Sequence, residues 1–233
     1  MDDSYATEFT ATVIDVTSDG EVALDRTLFY PTGGGQPNDT GEMTSGGRTC
    51  RVVNVRKRGP LVMHEIEGGP APMAGDVVTG VIDWDRRYKL MRTHTALHVL
   101  CGVIFREYGA SVTGANIGLD RARMDFELED FSPERVATIE ERVNQELKNG
   151  RRVSWRALPR EEAFRIPDLI RTKINLLPPQ ITEVRVVEIE GLDIQADGGT
   201  HVRNTSEVGR INVTGTRSKG KSNKRIEIEV LDG

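Results

Sequence analysis

Residues 91–100 constrain the fold of this chain most, because they place two histidines four residues apart within a strongly helical pattern. Side chains at positions i and i+4 of an α-helix lie on one face, about 5–6 Å apart at Cβ, so His94 and His98 could share one metal ion. The chain has only four histidines. A third, His201, follows Asp197 at the same spacing in a Gly-rich stretch. Zinc accepts imidazole nitrogen and carboxylate oxygen readily, and the two pairs therefore predict a tetrahedral zinc site built from a helix and a loop.

A histidine pair at this spacing also arises by chance, and a lone histidine is commonly a core or exposed side chain. The second pair strengthens the metal hypothesis, because Gly198 and Gly199 let the backbone turn tightly enough to aim two side chains inward. Cys101 follows His94 by seven residues on the same helix face. We interpret Cys101 as a small apolar core residue and keep it only as a reserve ligand.

The composition is that of an ordinary globular protein, with 29% charged and 37% hydrophobic residues in a chain of 233. This length accommodates one large domain or two small ones. No apolar run approaches the roughly 20 residues of a membrane-spanning helix, and the acidic, polar N-terminus is unlike a signal peptide. The two cysteines have no disulfide-framework spacing, which favours the reducing cytoplasm. We therefore expect a cytoplasmic protein with no membrane partner.

The first part of the chain predicts a small β-barrel, because short segments rich in β-branched residues alternate with Gly- and Pro-containing turns. A helix over residues 86–108 follows, with Asp85 as its N-cap. The rest predicts a mostly antiparallel sheet with helices. Ser132 as N-cap and Pro133 begin a second helix, and residues 168–174 predict a further helical turn.

Because strands and helices alternate irregularly, we predict an α+β chain. Its first domain, residues 1–88, is predicted to be a β-barrel, and its second, residues 89–233, a mostly antiparallel sheet with helices that carries the predicted zinc site.

The loop of residues 29–41 contains a run of three glycines, namely Gly33, Gly34 and Gly35. Such a run cannot pack a core, but it lets backbone N–H groups approach a ligand closely. A flexible hairpin is the alternative interpretation. Thr32, Gln36 and Asp39 flank the glycines with short polar groups suited to reading a small ligand, and they favour a binding loop.

A basic cluster lies near the C-terminus of a chain whose net charge is −5. Residues 217–225 hold five basic and no acidic residues, namely Arg217, Lys219, Lys221, Lys224 and Arg225. Such a run is by default a solvated loop, but Gly and Ser interleaved with Lys and Arg are also typical of a loop that binds phosphate. A negative net charge does not oppose this hypothesis, because a local basic patch is what contacts phosphate.

Together, four stretches resemble the editing domain of alanyl-tRNA synthetase and, more closely, its freestanding AlaX-type trans-editing relatives. They are Tyr-Pro-Thr-Gly-Gly-Gly-Gln at residues 30–36 with the following Asp39 and Gly41, the His94-x3-His98 pair, Asp-Gly-Gly-Thr-His-Val at 197–202, and the basic segment 218–227. The resemblance extends over about residues 9–230. Many threonyl-tRNA synthetase editing domains share the histidine motif, whereas the glycine-rich barrel in front distinguishes the alanyl group.

The resemblance implies a barrel, an α/β sandwich and one Zn²⁺ per chain. It implies hydrolysis of the ester that joins serine, and sometimes glycine, to the alanine tRNA, so the partner is aminoacylated tRNA(Ala) and not DNA. By position, the zinc ligands would be His94, His98 and His201, and the first two would also be catalytic. Thr32 and Gln36 would lie beside the aminoacyl group as catalytic residues, with the three glycines contacting substrate and the basic cluster gripping the acceptor end.

One position departs from the pattern, since the family usually has Cys where this chain has Asp197. An aspartate can ligate zinc at about 2.0–2.2 Å, so the fourth position would hold Asp197 or a water, or be empty part of the time. The metal would either activate that water or hold the substrate while the glycine loop stabilises the oxyanion. The alternatives are a non-catalytic zinc-containing tRNA-binding module and an unrelated zinc hydrolase, which explains neither the glycine loop nor the basic cluster. The sequence predicts no oligomeric state.

Overall fold

The computed structural model describes residues 3–129, 131–175 and 177–233. Its contacts divide the chain into two compact units, Met1–Lys89 and Leu90–Gly233. Strands predominate and three α-helices accompany them in the described residues, so the predicted α+β class is confirmed. None of those helices is both long enough and apolar enough to cross a membrane.

The first unit is a closed six-stranded antiparallel barrel with the strand order β1-β2-β5-β4-β3-β6, which confirms the predicted barrel. Its strands are β1 (Glu8–Val16), β2 (Val22–Leu24), β3 (Gly41–Ser45), β4 (Arg48–Arg58), β5 (Leu61–Glu67) and β6 (Val77–Ile82). Strand β1 shows the alternation that closure requires, because Phe9, Ala11 and Val13 are buried while Glu8 and Thr10 are exposed.

A buried ion pair holds the glycine-rich loop to the rest of the first unit. The side chains of Arg87 and Asp39 are both fully buried, and the guanidinium donates two hydrogen bonds to the carboxylate. Arg87 also donates to the carbonyls of Ser4 (2.9 Å) and Leu28 (2.6 Å), while the Tyr30 N–H donates to Asp39 (2.5 Å). Asp39 is therefore a structural group, which corrects the prediction that it reads a small ligand.

The second unit contains two antiparallel sheets, a three-stranded one in the order β11-β10-β9 and a four-stranded one in the order β12-β13-β8-β7. The strands are β7 (Val112–Ile117), β8 (Arg121–Phe126), β9 (Val153–Pro159), β10 (Glu183–Ile189), β11 (Asp193–Ala196), β12 (Arg210–Ser218) and β13 (Lys224–Leu231). The helices within the described residues are α1 (Trp84–Tyr108), α2 (Pro133–Lys148) and α3 (Arg160–Ala163). A short 3₁₀ turn covers Thr205–Val208.

Local hydrogen bonds decide where these helices begin. The Ser132 side chain accepts from Arg135 N (3.3 Å) at the start of α2, which confirms that N-cap. At α1 the carboxylate of Asp83 accepts from Arg86 N (3.1 Å), so the prediction that Asp85 caps this helix is wrong. The predicted helical turn at 168–174 is also wrong, because Asp168 adopts a φ of 55° and the chain there forms turns and a bridge.

Candidate metal centre

Four side chains of the second unit converge on one buried point. His94 and His98 come from α1, and Asp197 and His201 come from the loop after β11; each offers a ligand atom, and these atoms all lie within 4.8 Å of one another. The ring centroids of His94 and His201 are 4.2 Å apart, and those of His98 and His201 are 4.6 Å apart. The fold thus brings together all four residues that the sequence predicts as metal ligands.

His98 and His201 each have one ring nitrogen held by a neighbouring side chain. His98 Nδ1 lies 3.1 Å from Asp193 Oδ2. Because a carboxylate only accepts, this contact places the proton on Nδ1 and leaves the Nε2 lone pair free for a metal. His201 Nδ1 lies 3.1 Å from the hydroxyl of Thr95. Outer contacts of this kind orient histidine ligands and tune metal affinity.

Asp193 is itself fixed from two sides, although sequence reasoning did not assign it to the site. Its side chain is fully buried, and it accepts hydrogen bonds from Gln195 Nε2 (2.7 Å) and Arg171 Nε (3.3 Å). The Arg171 guanidinium also lies over the Phe105 ring, 3.6 Å from its centroid. The sequence indicates a role for Asp193 only through its position four residues before Asp197. That spacing becomes informative once Asp193 is known to begin β11.

Asp197 is positioned by the backbone of its own loop. Its Oδ2 accepts from Gly199 N (2.7 Å) and lies 3.0 Å from His201 Nε2, while Oδ1 is 3.5 Å from His94 Nε2. Arg185 donates to the carbonyls of Asp197 (3.2 Å) and Gly199 (2.9 Å). The carboxylate therefore faces two of the imidazoles at distances that a small cation could bridge.

The electrostatics prepare the cluster for a cation. Burial lowers the pKa of His94 well below its ordinary value and that of His201 to about 4, so both imidazoles are neutral at pH 7. Burial acts in the same direction on His98, but Asp193 outweighs it and raises the pKa of that imidazole. Burial would raise the pKa of Asp197, yet the surrounding histidines hold it well below its usual range. Metal binds neutral imidazoles and an ionised carboxylate, which are the forms of His94, His201 and Asp197. His98, whose pKa is raised, must give up any proton on Nε2 when a cation binds.

Three imidazole nitrogens and one carboxylate oxygen, all in buried surroundings, form a donor set that zinc accepts. Cys101 does not belong to this set. It is a fully buried residue of α1, and burial raises the pKa of its thiol well above the ordinary value. The residues present therefore fit a zinc ion without a thiolate.

The glycine-rich loop belongs to the first unit and forms a tight hairpin. Gly33 and Gln36 exchange two backbone hydrogen bonds of 3.0 and 2.9 Å, and the two residues between them, Gly34 and Gly35, have φ values of 59° and 83°. Positive φ at both central positions is typical of a type I′ turn and favours glycine. Gln36 is buried. Thr32 is exposed, and its hydroxyl accepts from Asn38 N (3.2 Å). The positions of Thr32 and Gln36 beside an aminoacyl group stay predictions.

The basic cluster occupies the end of β12, the start of β13 and the turn between them. Lys219 and Arg225 both pair with Asp125, at 3.0 and 2.7 Å. Lys224 is buried, and its ammonium donates to Ser218 Oγ (3.2 Å) and to the carbonyls of Gly220 (2.7 Å) and Lys221 (2.9 Å).

These three bonds use every proton of the Lys224 ammonium, which corrects the prediction that Lys224 contacts phosphate. Arg217, Lys219 and Lys221 are exposed. Because Lys219 shares Asp125 with Arg225, most of the outward positive charge of the cluster comes from Arg217 and Lys221.

Both units match described protein families. Residues 4–86 match the family described as tRNA synthetases class II (A). Residues 184–227 match the family described as the threonyl and alanyl tRNA synthetase second additional domain, a stretch that begins in β10 and includes Asp197 and His201.

Several relatives match nearly the whole chain. The chain is 44% identical over 235 residues to the alanyl-tRNA editing protein AlaX-M of Methanosarcina barkeri, covering 99% of this chain and 97% of that protein. It is 40% identical to the AlaX-M protein of Saccharolobus solfataricus, covering 97% and 95%. The alanine–tRNA ligase of Pyrococcus furiosus is 38% identical over 218 residues, which make up 92% of this chain but 24% of that protein.

Proposed function

The chain belongs to the AlaX-M family of alanyl-tRNA editing proteins, and from this premise we propose that it is an aminoacyl-tRNA deacylase that edits mischarged tRNA(Ala) in trans, in the cytoplasm. Its substrates would be Ser-tRNA(Ala) and, secondarily, Gly-tRNA(Ala). The near-full-length match to AlaX-M proteins carries the proposal. The buried cluster of His94, His98, Asp197 and His201 supports it, since drift toward a non-catalytic tRNA-binding module would be expected to remove some of these side chains.

The cofactor of the proposed reaction is one Zn²⁺ per chain, held by His94, His98, His201 and Asp197. A zinc ion at this site would polarise the ester carbonyl as a Lewis acid, and where a water takes the fourth position in place of Asp197 it would lower the pKa of that water toward ~7. The chain's own part is to keep the donors in place. Asp193 holds the His98 ring with its Nε2 free, and the Gly199 N–H and Arg185 fix the loop that carries Asp197.

Selection of serine over alanine would rest on Thr32. A site that hydrogen-bonds a substrate hydroxyl leaves its own polar groups unpaired with the smaller substrate, which can reject that substrate by about 10⁴-fold or more. The Thr32 hydroxyl lies 3.2 Å from both Asn38 N and Asn38 Oδ1, and these contacts would orient it. Gln36 and the N–H groups of the glycine hairpin would contact the aminoacyl group and the developing oxyanion.

The acceptor end of the tRNA would lie along the basic cluster, where Arg217, Lys219 and Lys221 offer exposed charges to phosphate. Replacing Arg217 and Lys221 by Ala should weaken tRNA binding and reduce the slope of log K against log[salt] by about 0.7–0.9 for each phosphate that is no longer neutralised. A matched control removes two positive charges from α2, at Arg142 and Lys148, and should leave the slope unchanged. An equal slope for both double variants would refute the assignment.

The decisive experiment measures deacylation of Ser-tRNA(Ala) and Ala-tRNA(Ala) by the protein as purified, after chelation and after return of zinc. We expect rapid loss of serine alone, abolished by the chelator and restored by zinc. Tight tRNA binding without hydrolysis under all three conditions would instead establish the non-catalytic module. Hydrolysis that survives complete metal removal would refute the zinc dependence and leave the editing activity standing.

A further inference from the structure

An exposed tryptophan lies on the same sheet face as the outer contacts of the metal centre. In the three-stranded sheet, Trp155 of β9 is opposite Val187 of β10, and Gln195 of β11 is opposite Val187 on the other side. Because residues opposite one another share a face, Trp155 lies on the face that also carries Gln195 and Asp193. These are the two side chains that contact each other beside His98.

This face of the sheet is buried in one part and exposed to solvent in another. Val187 and Ile189 are each 1% exposed, whereas Ala157 is exposed and Trp155 is 38% exposed. Strand β9 is the edge of its sheet, so the indole lies where the covered part of the face ends. The indole therefore offers part of a large apolar ring to solvent at this edge.

Arg185 links the indole to the metal centre. Its guanidinium carbon lies 5.0 Å from the centroid of the Trp155 ring, within the range of a cation–π contact. The same guanidinium binds the carbonyls of Asp197 and Gly199 and comes within 3.9 Å of Asp197 Oδ2. The Arg185 side chain therefore connects the indole to Asp197, a candidate metal ligand. The same cation–π contact fixes the orientation of the indole.

We propose that the exposed part of Trp155 is a stacking platform for a nucleobase, that of the terminal nucleotide whose ribose carries the aminoacyl ester. This inference rests on the proposed function and assigns a binding residue for the same site. An ester that reaches the cluster of His94, His98 and His201 brings the attached nucleoside close to the cluster as well. Stacking suits recognition of the shared 3′ end of tRNA, because it needs only the π-face of a base.

The test uses the emission of Trp155 itself. The chain has two tryptophans, and the other, Trp84, stacks on Tyr88 with centroids 5.2 Å apart. A Trp84→Phe background therefore isolates Trp155. The probe is the seryl-3′-amide of adenosine, in which an amide replaces the hydrolysable ester. We expect saturable quenching by this probe, and weaker binding of a probe that carries hydrogen in place of adenine.

Substitution then separates stacking from a structural role. Base stacking on an aromatic side chain is worth about a 5- to 150-fold change in affinity, so Trp155→Ala should weaken probe binding by that factor, measured by calorimetry, while Trp155→Phe should retain most of the affinity. Phe164 provides a matched control, since it is 41% exposed and has Arg160 over its ring at 4.7 Å. Phe164→Ala should bind the probe as the wild type does.

Three results would overturn the stacking proposal. They are unchanged probe affinity in Trp155→Ala, equal affinities of the wild type for the two probes, and equal losses in Trp155→Phe and Trp155→Ala. Zinc content and melting temperature are measured on each variant, and Trp155→Leu, which keeps an apolar side chain but has no π-face, takes the place of Trp155→Ala if that variant fails to fold. Because the probe reports binding alone, wild-type protein that binds it with quenching but leaves Ser-tRNA(Ala) intact would refute the proposed hydrolysis and still establish the platform.

Discussion

The buried pair of Arg87 and Asp39 makes a large and testable contribution to the stability of the first unit. Asp39→Ala removes the carboxylate that is bonded to a fully buried guanidinium, and it also removes the acceptor of the Tyr30 N–H. Removing one partner of a buried ion pair costs about 3–5 kcal/mol, since the remaining charge is left without compensation. We therefore expect Asp39→Ala to lower the free energy of unfolding by about 4 kcal/mol.

The measurement is guanidinium chloride unfolding followed by tryptophan emission in a Trp155→Phe background, because Trp84 then reports the unit that contains the pair. With a slope of about 4 kcal/mol/M, typical of a small unit in this denaturant, a loss of about 4 kcal/mol lowers the midpoint by about 1 M. A double-mutant cycle with Arg87→Met should show that the two losses are not additive.

A matched control comes from the same barrel. Arg56 forms a two-bond contact with Glu21 at 2.8 and 2.7 Å, but 55% of its side chain is exposed. The Glu21 side chain is only 6% exposed, but the exposed Arg56 guanidinium leaves one side of this pair open to screening by water and salt, so Arg56→Ala should move the midpoint less than Asp39→Ala does. If Asp39→Ala and Arg56→Ala give equal shifts, or if Asp39→Ala lowers stability by less than about 1 kcal/mol, burial does not determine the strength of this pair.

Three further perturbations test the second unit and the proposed specificity. Asp193→Asn should weaken zinc binding by about 10–100-fold in competition with a chromophoric chelator, because the amide no longer fixes the proton on His98 Nδ1. Thr32→Val should reduce the preference for Ser-tRNA(Ala) over Ala-tRNA(Ala) in a deacylation assay. The Arg225 hydrogen bonds lower the pKa of Asp125, so the wild type should be more stable than Asp125→Asn above about pH 4, a difference that disappears as the pH falls further.

The sign of the pH effect follows from linkage. A carboxylate whose pKa is depressed in the folded protein adds stability above its unfolded value, about 3.9, and loses this stability as it protonates at lower pH. A constant difference from about pH 7 to about pH 2 would contradict the role of Asp125. Unchanged zinc affinity in Asp193→Asn would contradict the role of Asp193 in orienting His98. Asp232→Asn, at an exposed carboxylate, is the control. Retained serine preference in Thr32→Val would eliminate the hydroxyl as the selective group.

Sequence patterns predicted the structure correctly where the determining interactions are local. The histidine pair of α1 follows from helical periodicity, and the Ser132 cap is set by a bond to a residue three positions later. Prediction failed where distant segments decide. Asp39 resembles a loop residue until its partner Arg87, 48 positions away, is known. Two other failures are local: the burial of Lys224 depends on three bonds within one turn, whose geometry periodicity does not give, and β11, which carries Asp193, is only four residues long, too short to give a clear alternation.

Asp197 gives this chain a chemical property that a cysteine at the same position would remove. A thiolate in a metal centre can be oxidised to a sulfenic acid or a disulfide, and the metal is then released. The cluster of three imidazoles and one carboxylate contains no sulfur, and both cysteines of the chain, Cys50 and Cys101, are buried and lie outside this donor set. Peroxide and thiol-directed reagents therefore find no ligand to attack, and the centre should persist through oxidative conditions that inactivate a cysteine-containing one.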